Sequence, residues 1–343
     1  MTATTRQPGS HPHPAPDPAG PALPAPRGPL SRGVLHALRT ARDADPALRQ
    51  HAAGAEPYGD DLQLALYVLY ELHYRGFAGV ADDREWDPGL LAVRAALEDR
   101  FLTALRRDVP GPRRPAEVFA ELLVEPADHS ASVAHHLQRH GDLEQFRQYA
   151  ALRSLYHLKE ADPHAWVLPR LHGQAKAAMA AIEYDEFGAG RADQVHARLF
   201  ADLMADLGLD TAYGRYLDRS PAEMLAVVNL MSLLGLHRAL RGALVGHFAW
   251  VEVTSSPGSR RLATGLRKAG AGPAAQRFYD EHVEADAVHE QVVRHQVVDG
   301  LLSAEPALAP DVAFGADATT FLEDRLSARL LDAWRAGRSA LRC

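Results

Sequence analysis

Cysteine is almost absent from this chain: its single thiol, Cys343, is the last of 343 residues. That scarcity excludes a disulfide framework, a zinc finger and a Cys-ligated iron–sulfur cluster together. No basic stripe interleaved with aromatic residues occurs. With 37 Lys and Arg against 44 Asp and Glu the net charge is −7, so nucleic acid is not an expected partner. The N-terminus lacks the apolar run of a secretion signal. No long apolar stretch is free of polar groups either. The most apolar one, Met224 to Val251, carries Asn229, His237, Arg238, Arg241 and His247, so it reads as a buried helix and not as a membrane span. A soluble cytoplasmic protein is the expectation. Alternating apolar and polar residues are missing too, which argues against strands and for an all-α protein. There is no G-x-S-x-G motif, and a thiol at the chain end is no nucleophile candidate.

What is present is enough apolar material, 47% of residues, to build one large domain or two small ones. Met1 to Pro29 holds nine of the 23 prolines and almost no large apolar side chain, so residues 1–30 are expected to be a disordered tail. His11 and His13 in it are poor ligand candidates. Residues 31–140 read as an accessory helical region, with helices over Leu62–Gly76 and Leu90–Arg107 around a polar loop, Asp82–Pro88. From residue 141 to 343 the helices lengthen. Leu143–Ala161 should end at Asp162-Pro163, because the residue before proline avoids helical backbone. Leu171–Phe187 should stop at Gly188-Ala-Gly190, and Ala192–Leu207 follows. Ser220-Pro-Ala-Glu223 reads as a capping box opening a long helix toward Glu252, ended by Thr254-Ser-Ser-Pro-Gly258. Pro273–Leu302 and Phe321–Arg338 complete the set.

The chemistry starts in the Pro273–Leu302 segment with an H-x3-D-x2-H pattern, His282, Asp286 and His289. At about 100° per helical residue, Asp286 lies roughly 40° and His289 roughly 20° from His282 around the axis, so the three share one face. Two imidazoles and a carboxylate without soft sulfur suit iron or manganese. Glu252 sits among Phe248, Trp250, Val251 and Val253, where a lone carboxylate is costly unless paired or metal-bound. His196 lies between Val195 and Leu199-Phe200, Glu186 falls in Ile182-Glu-Tyr-Asp-Glu-Phe187, and Glu160 precedes Asp162-Pro163. Carboxylates and histidines drawn from several helices are what a metal pair in a bundle core needs.

In order and type, Glu160, Glu186, His196, Glu252, His282, Asp286 and His289 resemble the ligand set of the haem-oxygenase-like di-iron oxidases and oxygenases. Their spacing is especially similar to that of the di-iron N-oxygenase domain of the streptozotocin pathway. The resemblance covers about Leu143 to Leu302. It implies a seven-helix haem-oxygenase-like fold without haem, holding two Fe²⁺ through these seven residues. It implies O₂ activation through a peroxo-di-iron species, a small-molecule substrate and an external electron donor. N-oxygenation of an amine or guanidine is the preferred reaction, with decarboxylation and self-oxidation known in the same family. Four carboxylates against two Fe²⁺ would balance in charge. The streptozotocin-pathway relative also carries a cupin domain, for which no strand-rich segment is present here, and an accessory dimerisation region, which Leu62–Arg107 would match in a homodimer.

Other residues keep competing readings. Asp193, one turn before His196, is the main alternative to Glu186. Glu183 is read as either a spare carboxylate facing the cavity or a solvent-facing one. His164 is read as a cap or a residue behind the ligands, and His247 as a core histidine or one behind the ligands. Glu71 and His73 read as surface or interface residues. Gly188-x-Gly190 lacks the strand and third glycine of a phosphate loop. A metal-free all-α binding or scaffold protein is the reading from another class, and a self-sacrificing oxidase that modifies Tyr184 or Tyr279 is a third.

Overall fold

The computed structural model describes residues 20–125 and 127–342; the first nineteen residues, Pro126 and Cys343 lie outside the described residues. His11, His13 and the chain-end thiol therefore fall outside it. All regular structure in the described residues is helical. Six helices precede Gly141: α1 (Pro29–Thr40), α2 (Ala47–Ala53), α3 (Asp60–Glu71), α4 (Pro88–Asp108), α5 (Pro115–Leu122) and α6 (Val133–His140). After them come α7 (Leu143–His157), α8 (Asp162–Ala165), α9 (Gly173–Glu186), α10 (His196–Asp206), α11 (Ala222–Leu236), α12 (Arg241–Ala269), α13 (Pro273–Val292), α14 (Asp299–Ala304) and α15 (Ala309–Arg335). Of these, α8 and α14 are short, which leaves seven substantial helices in the second part.

Local signals place several helix starts. Asp87 accepts a bond from the Leu90 amide (2.8 Å) with Pro88 behind it at the head of α4. Asp142 does the same for Gln145 (2.8 Å) at the head of α7. The start of α13, the helix with the H-x3-D-x2-H pattern, is capped from elsewhere: Asp206, at the end of α10, accepts from the Ala275 amide at 2.8 Å. This bond ties the two helices that carry His196, His282 and His289.

The structure corrects four sequence expectations. Residues 20–29 are not part of a disordered tail: Ala25 donates to Asp218 (3.0 Å), Ala78 donates to the Pro21 carbonyl (2.9 Å), and Pro29 already begins α1. Helix α7 stops at His157 instead of Ala161, and a turn with Ala161 at φ +74° leads into α8. The apolar run after Ser220 is two helices, α11 and α12, bent by 106° at the break. Ser220 makes no cap there, its hydroxyl donating back to the Tyr216 carbonyl (2.9 Å). Finally, Thr254–Gly258 does not end α12, which runs through Pro257 to Ala269. Proline removes one hydrogen-bond donor, but packing against α13 and α15 on both sides holds the helix together. Among the described residues no single helix is long and apolar enough to cross a membrane.

The crossing of α12 and α15 is set by glycine. A Cβ on Gly246 would sit 1.8 Å from the Val312 carbonyl oxygen, and one on Gly315 would sit 1.9 Å from that of Ala243. The two backbones touch there, which fixes the height of Glu252 one and a half turns further along α12. The N-terminal helices are not a separate layer. Residues 62–71 of α3 are buried on every side, mainly by α11, α1 and α4, and one apolar core runs from Leu30 to Ala340. A dimer face would have to use residues other than these.

Candidate metal centre

All seven residues singled out from the sequence converge, each 7% exposed or less. Six of them form two groups, within each of which the potential ligand atoms lie within 4.8 Å of one another: Glu160, His196 and His282, and Glu186, Glu252 and His289. Glu186 joins the groups, with one oxygen 2.7 Å from His196 Nδ1 and the other 3.7 Å from His289 Nδ1. Asp286 stands beside the second group, its Oδ1 3.6 Å from His289 Nδ1. Glu252 Oε2 is 3.4 Å from the same nitrogen. Two helices, two helix ends and one turn supply the set: Glu252 from α12, His282, Asp286 and His289 from α13, Glu186 and His196 from the ends of α9 and α10, and Glu160 from the turn after α7. Glu186 is the last residue of α9 and His196 the first of α10, so the Gly188–Gly190 turn folds them together. Gly188 has φ +73°, and a Cβ there would meet the Val195 nitrogen at 2.6 Å, so the tight return needs glycine.

The test of fit is what these atoms lack. Glu160 Oε2, His196 Nδ1, His282 Nε2, Asp286 Oδ2 and His289 Nδ1 are all buried without a hydrogen-bond partner. Buried polar atoms are rarely left so, and here five are gathered in one place. His196 Nδ1 is close to Glu186 yet out of hydrogen-bond alignment, as two ligands of a common ion would be. The outer nitrogens are held by the chain. His282 Nδ1 donates to the Phe278 carbonyl (2.7 Å), which leaves Nε2 with its lone pair facing the cluster. His289 Nε2 is 3.3 Å from Asp185. The donor set of three histidines and four carboxylates suits iron or manganese, so the residues fit a metal pair.

Electrostatics agree. Burial lowers the His282 and His289 pKa, but the surrounding carboxylates outweigh it and raise them to about 10 and about 11. His196 is likewise raised, Glu186 outweighing burial. Burial pushes Glu252 up to about 8. Glu160 moves the other way: burial opposes its ionisation, yet His157 and His282 hold it below the usual carboxylate range. In the metal-free protein the raised histidines stabilise the fold fully below their ordinary 6.5, and this contribution is lost as pH rises through 10–11. Protons thus stand in for cations, and an entering metal must displace them. Apparent Mn²⁺ affinity is expected to rise between pH 6 and 8, with proton release visible in calorimetry across buffers of different ionisation enthalpy. Binding that is flat with pH and releases no protons would contradict this.

The neighbouring residues sort themselves. Asp193 is exposed and accepts only from the Gln194 side chain (3.2 Å), so it does not join the cluster. Glu183 is buried, not solvent-facing; burial, then Glu186 and Glu252, push it up to about 9, so it is protonated at neutral pH. His164 and His247 form a buried chain: Thr319 donates to the Gly315 carbonyl (2.7 Å) and accepts from His247 Nδ1 (2.8 Å), so His247 Nε2 accepts from His164 Nε2 (3.1 Å). Burial lowers both, His247 to about 4. Glu71 is not a surface residue: it is 0% exposed and paired with Lys159. His73 lies between Glu85 (2.7 Å) and Arg94. Sequence reasoning missed His157, whose Nδ1 bonds Glu160 at 2.8 Å; the H-x2-E spacing was the available signal.

A cavity of about 190 Å³ adjoins the cluster, lined among others by Glu160, Glu252, Tyr156, Tyr279, Met231 and Phe248. A half-buried pair also borders it, Arg153 from α7 and Glu323 from α15, joined by two bonds of 2.7 and 2.6 Å. Tyr279 faces this space, whereas Tyr184 is 58% exposed and bonds the Ala189 carbonyl.

Comparison with known proteins agrees with the geometry. The sequence profile of a family described as an iron-containing redox enzyme matches residues 147–324. Nitrosourea synthase of Streptomyces achromogenes subsp. streptozoticus is 24% identical over 159 residues, 46% of this chain and 34% of that protein. The chain thus spans about a third of that relative's length in the match.

Proposed function

This chain belongs to the iron-containing redox enzyme family, and on that premise we propose that it is a non-haem di-iron oxygenase or oxidase acting on a small molecule. The observation that carries the reading is the pair of ligand groups joined by Glu186, with unpartnered atoms turned toward one another. Two Fe²⁺ ions bound by the seven residues would supply electrons for O₂ activation, replenished by an external donor.

The chain's own contribution is orientation and exclusion of water. The Phe278 carbonyl sets the His282 tautomer, and His157 holds the Glu160 carboxylate. Glu183, buried one turn from Glu186, is a carboxyl group that would hold a proton beside the ligands, since burial and then Glu186 and Glu252 push its pKa up. The cavity walls are mostly apolar, and the Arg153–Glu323 pair offers both charges to a polar end of the substrate. The preferred reaction is N-oxygenation of an amine or guanidine. The relative is named for making a nitrosourea, a product with an oxidised nitrogen. A metal-free scaffold of the same fold would satisfy its buried polar atoms among themselves, and five here are not satisfied. Self-oxidation is the second reading, because Tyr279 and Tyr156 border the cavity.

The test is to load the protein anaerobically with Fe²⁺, add isotopically labelled O₂ and a reductant, and assay a panel of amines, guanidines and fatty acids. Label in an N–O product is the expected result. Label confined to a cavity tyrosine would favour self-oxidation, and no O₂ uptake would reject both.

A further inference from the structure

The turn that presents Glu160 is held from outside the helical set that carries the other ligands. Lys159, immediately before Glu160, is 2% exposed and points the opposite way, into the N-terminal region. Its Nζ lies 2.8 Å from Glu71, the last residue of α3, and 4.1 and 5.1 Å from the Tyr74 and Tyr67 ring centres. Glu71 is in turn fixed by the Tyr213 hydroxyl, which donates to its other oxygen at 2.7 Å. Four residues on, Arg75 donates to the Leu158 carbonyl at 2.8 Å and stacks 4.1 Å over Tyr213. Two consecutive residues of the turn, Leu158 and Lys159, are thus gripped by Glu71 and Arg75.

The turn needs such a grip. It is not helical, and Ala161 is held at φ +74°, a region that a residue with a Cβ enters only under constraint from its surroundings. A buried ammonium cannot leave its one carboxylate partner without exposing an unpaired charge to a low-dielectric interior. The Lys159–Glu71 pair therefore pins the backbone at the residue next to Glu160 and turns the following side chain toward His157 and His282.

We infer that Glu71, acting through Lys159, is a positioning residue for the Glu160 carboxylate, so that the N-terminal helical region completes the Glu160–His196–His282 group. The inference rests on the metal-centre reading above. It makes residues 60–75 part of the machinery for the second ion, although none of them touches it.

The test is anaerobic Fe²⁺ titration, with Mn²⁺ electron paramagnetic resonance as a second readout, on the full chain. Glu71→Gln combined with Lys159→Met keeps shape and removes both charges, so no lone buried charge remains to unfold the protein. This double variant is expected to melt cooperatively and bind one ion as the wild type does. The second ion should bind at least tenfold more weakly, with the Mn²⁺ spectrum changing from a coupled pair to an isolated ion. Arg75→Met, at an exposed residue, should weaken the same ion in the same direction. Asn229→Ala loosens the α3–α11 contact, where Asn229 donates to the Gln63 carbonyl at 2.8 Å, without touching the turn, and should still take both ions. A folded double variant and Arg75→Met that both take two ions with wild-type affinity would overturn the positioning role, as would loss of the same ion in Asn229→Ala. Wild-type protein that takes up no metal would instead sink the metal-centre reading itself.

Discussion

Glu252→Ala is expected to lower O₂ consumption by the iron-loaded protein by more than about a hundredfold, since even residues behind metal ligands cost 10–100-fold when lost. Glu252 comes from the middle of α12, where the Gly246–Gly315 crossing leaves it little freedom to shift, and its Oε2 faces His289 at 3.4 Å. None of the other three carboxylates of the set can slide into its place without leaving its own. The loss will not reflect unfolding. Burial raises the Glu252 pKa to about 8, so the metal-free protein is destabilised by ionising this group as pH rises from 4.5 through 8. Alanine removes that burden, and the variant without metal should melt no lower than the wild type at pH 8. Oxygen-electrode traces beside thermal melts read both quantities. Turnover retained in a folded Glu252→Ala protein would reject the site.

Anaerobic Fe²⁺ titration should saturate near two equivalents in two steps, with affinities at least tenfold apart. In the group of Glu186, Glu252 and His289, two ligands project from helix interiors and only Glu186 sits at a helix end. In the other group only His282 is interior: His196 is the first residue of α10, and Glu160 lies in the turn after α7. Local opening is cheapest at such ends. The weak ion is therefore the one held by Glu160, His196 and His282, and it is the ion expected to be lost on purification. His289→Ala should remove the tight step, and His282→Ala only the weak one. A single step of two equivalents, or loss of the tight step in His282→Ala, would show that the two sites are not ranked this way.

Residue type and spacing determined the all-α class and the shared face of His282, Asp286 and His289, and through the family resemblance they carry they singled out the seven residues. Both are properties of order along the chain. A heptad-like step from His282 to His289 puts three side chains on one helix face whatever that helix packs against. An acidic residue inside an apolar run, as at Glu252, must find a partner wherever the run folds. Only the tertiary structure decided the rest, because it depends on contacts between residues far apart in sequence. Pro257 reads locally as a stop, yet α13 and α15 carry α12 past it. The bend between α11 and α12 has no proline to announce it, only Gly235 next to the end of α11 and His237 at the break. Spacing makes Asp193 the main alternative to Glu186 and leaves Glu183 facing either the cavity or solvent. Burial separated them, because the chain between α9 and α10 turns at Gly188 and leaves Asp193 outside with Glu183 within. Glu71 is the plainest case. At the end of a helix, with His73 two residues on, it has the sequence context of a surface group. Its role appears only when Lys159, 88 residues away, is found against it, because a charge pair has no period along the chain.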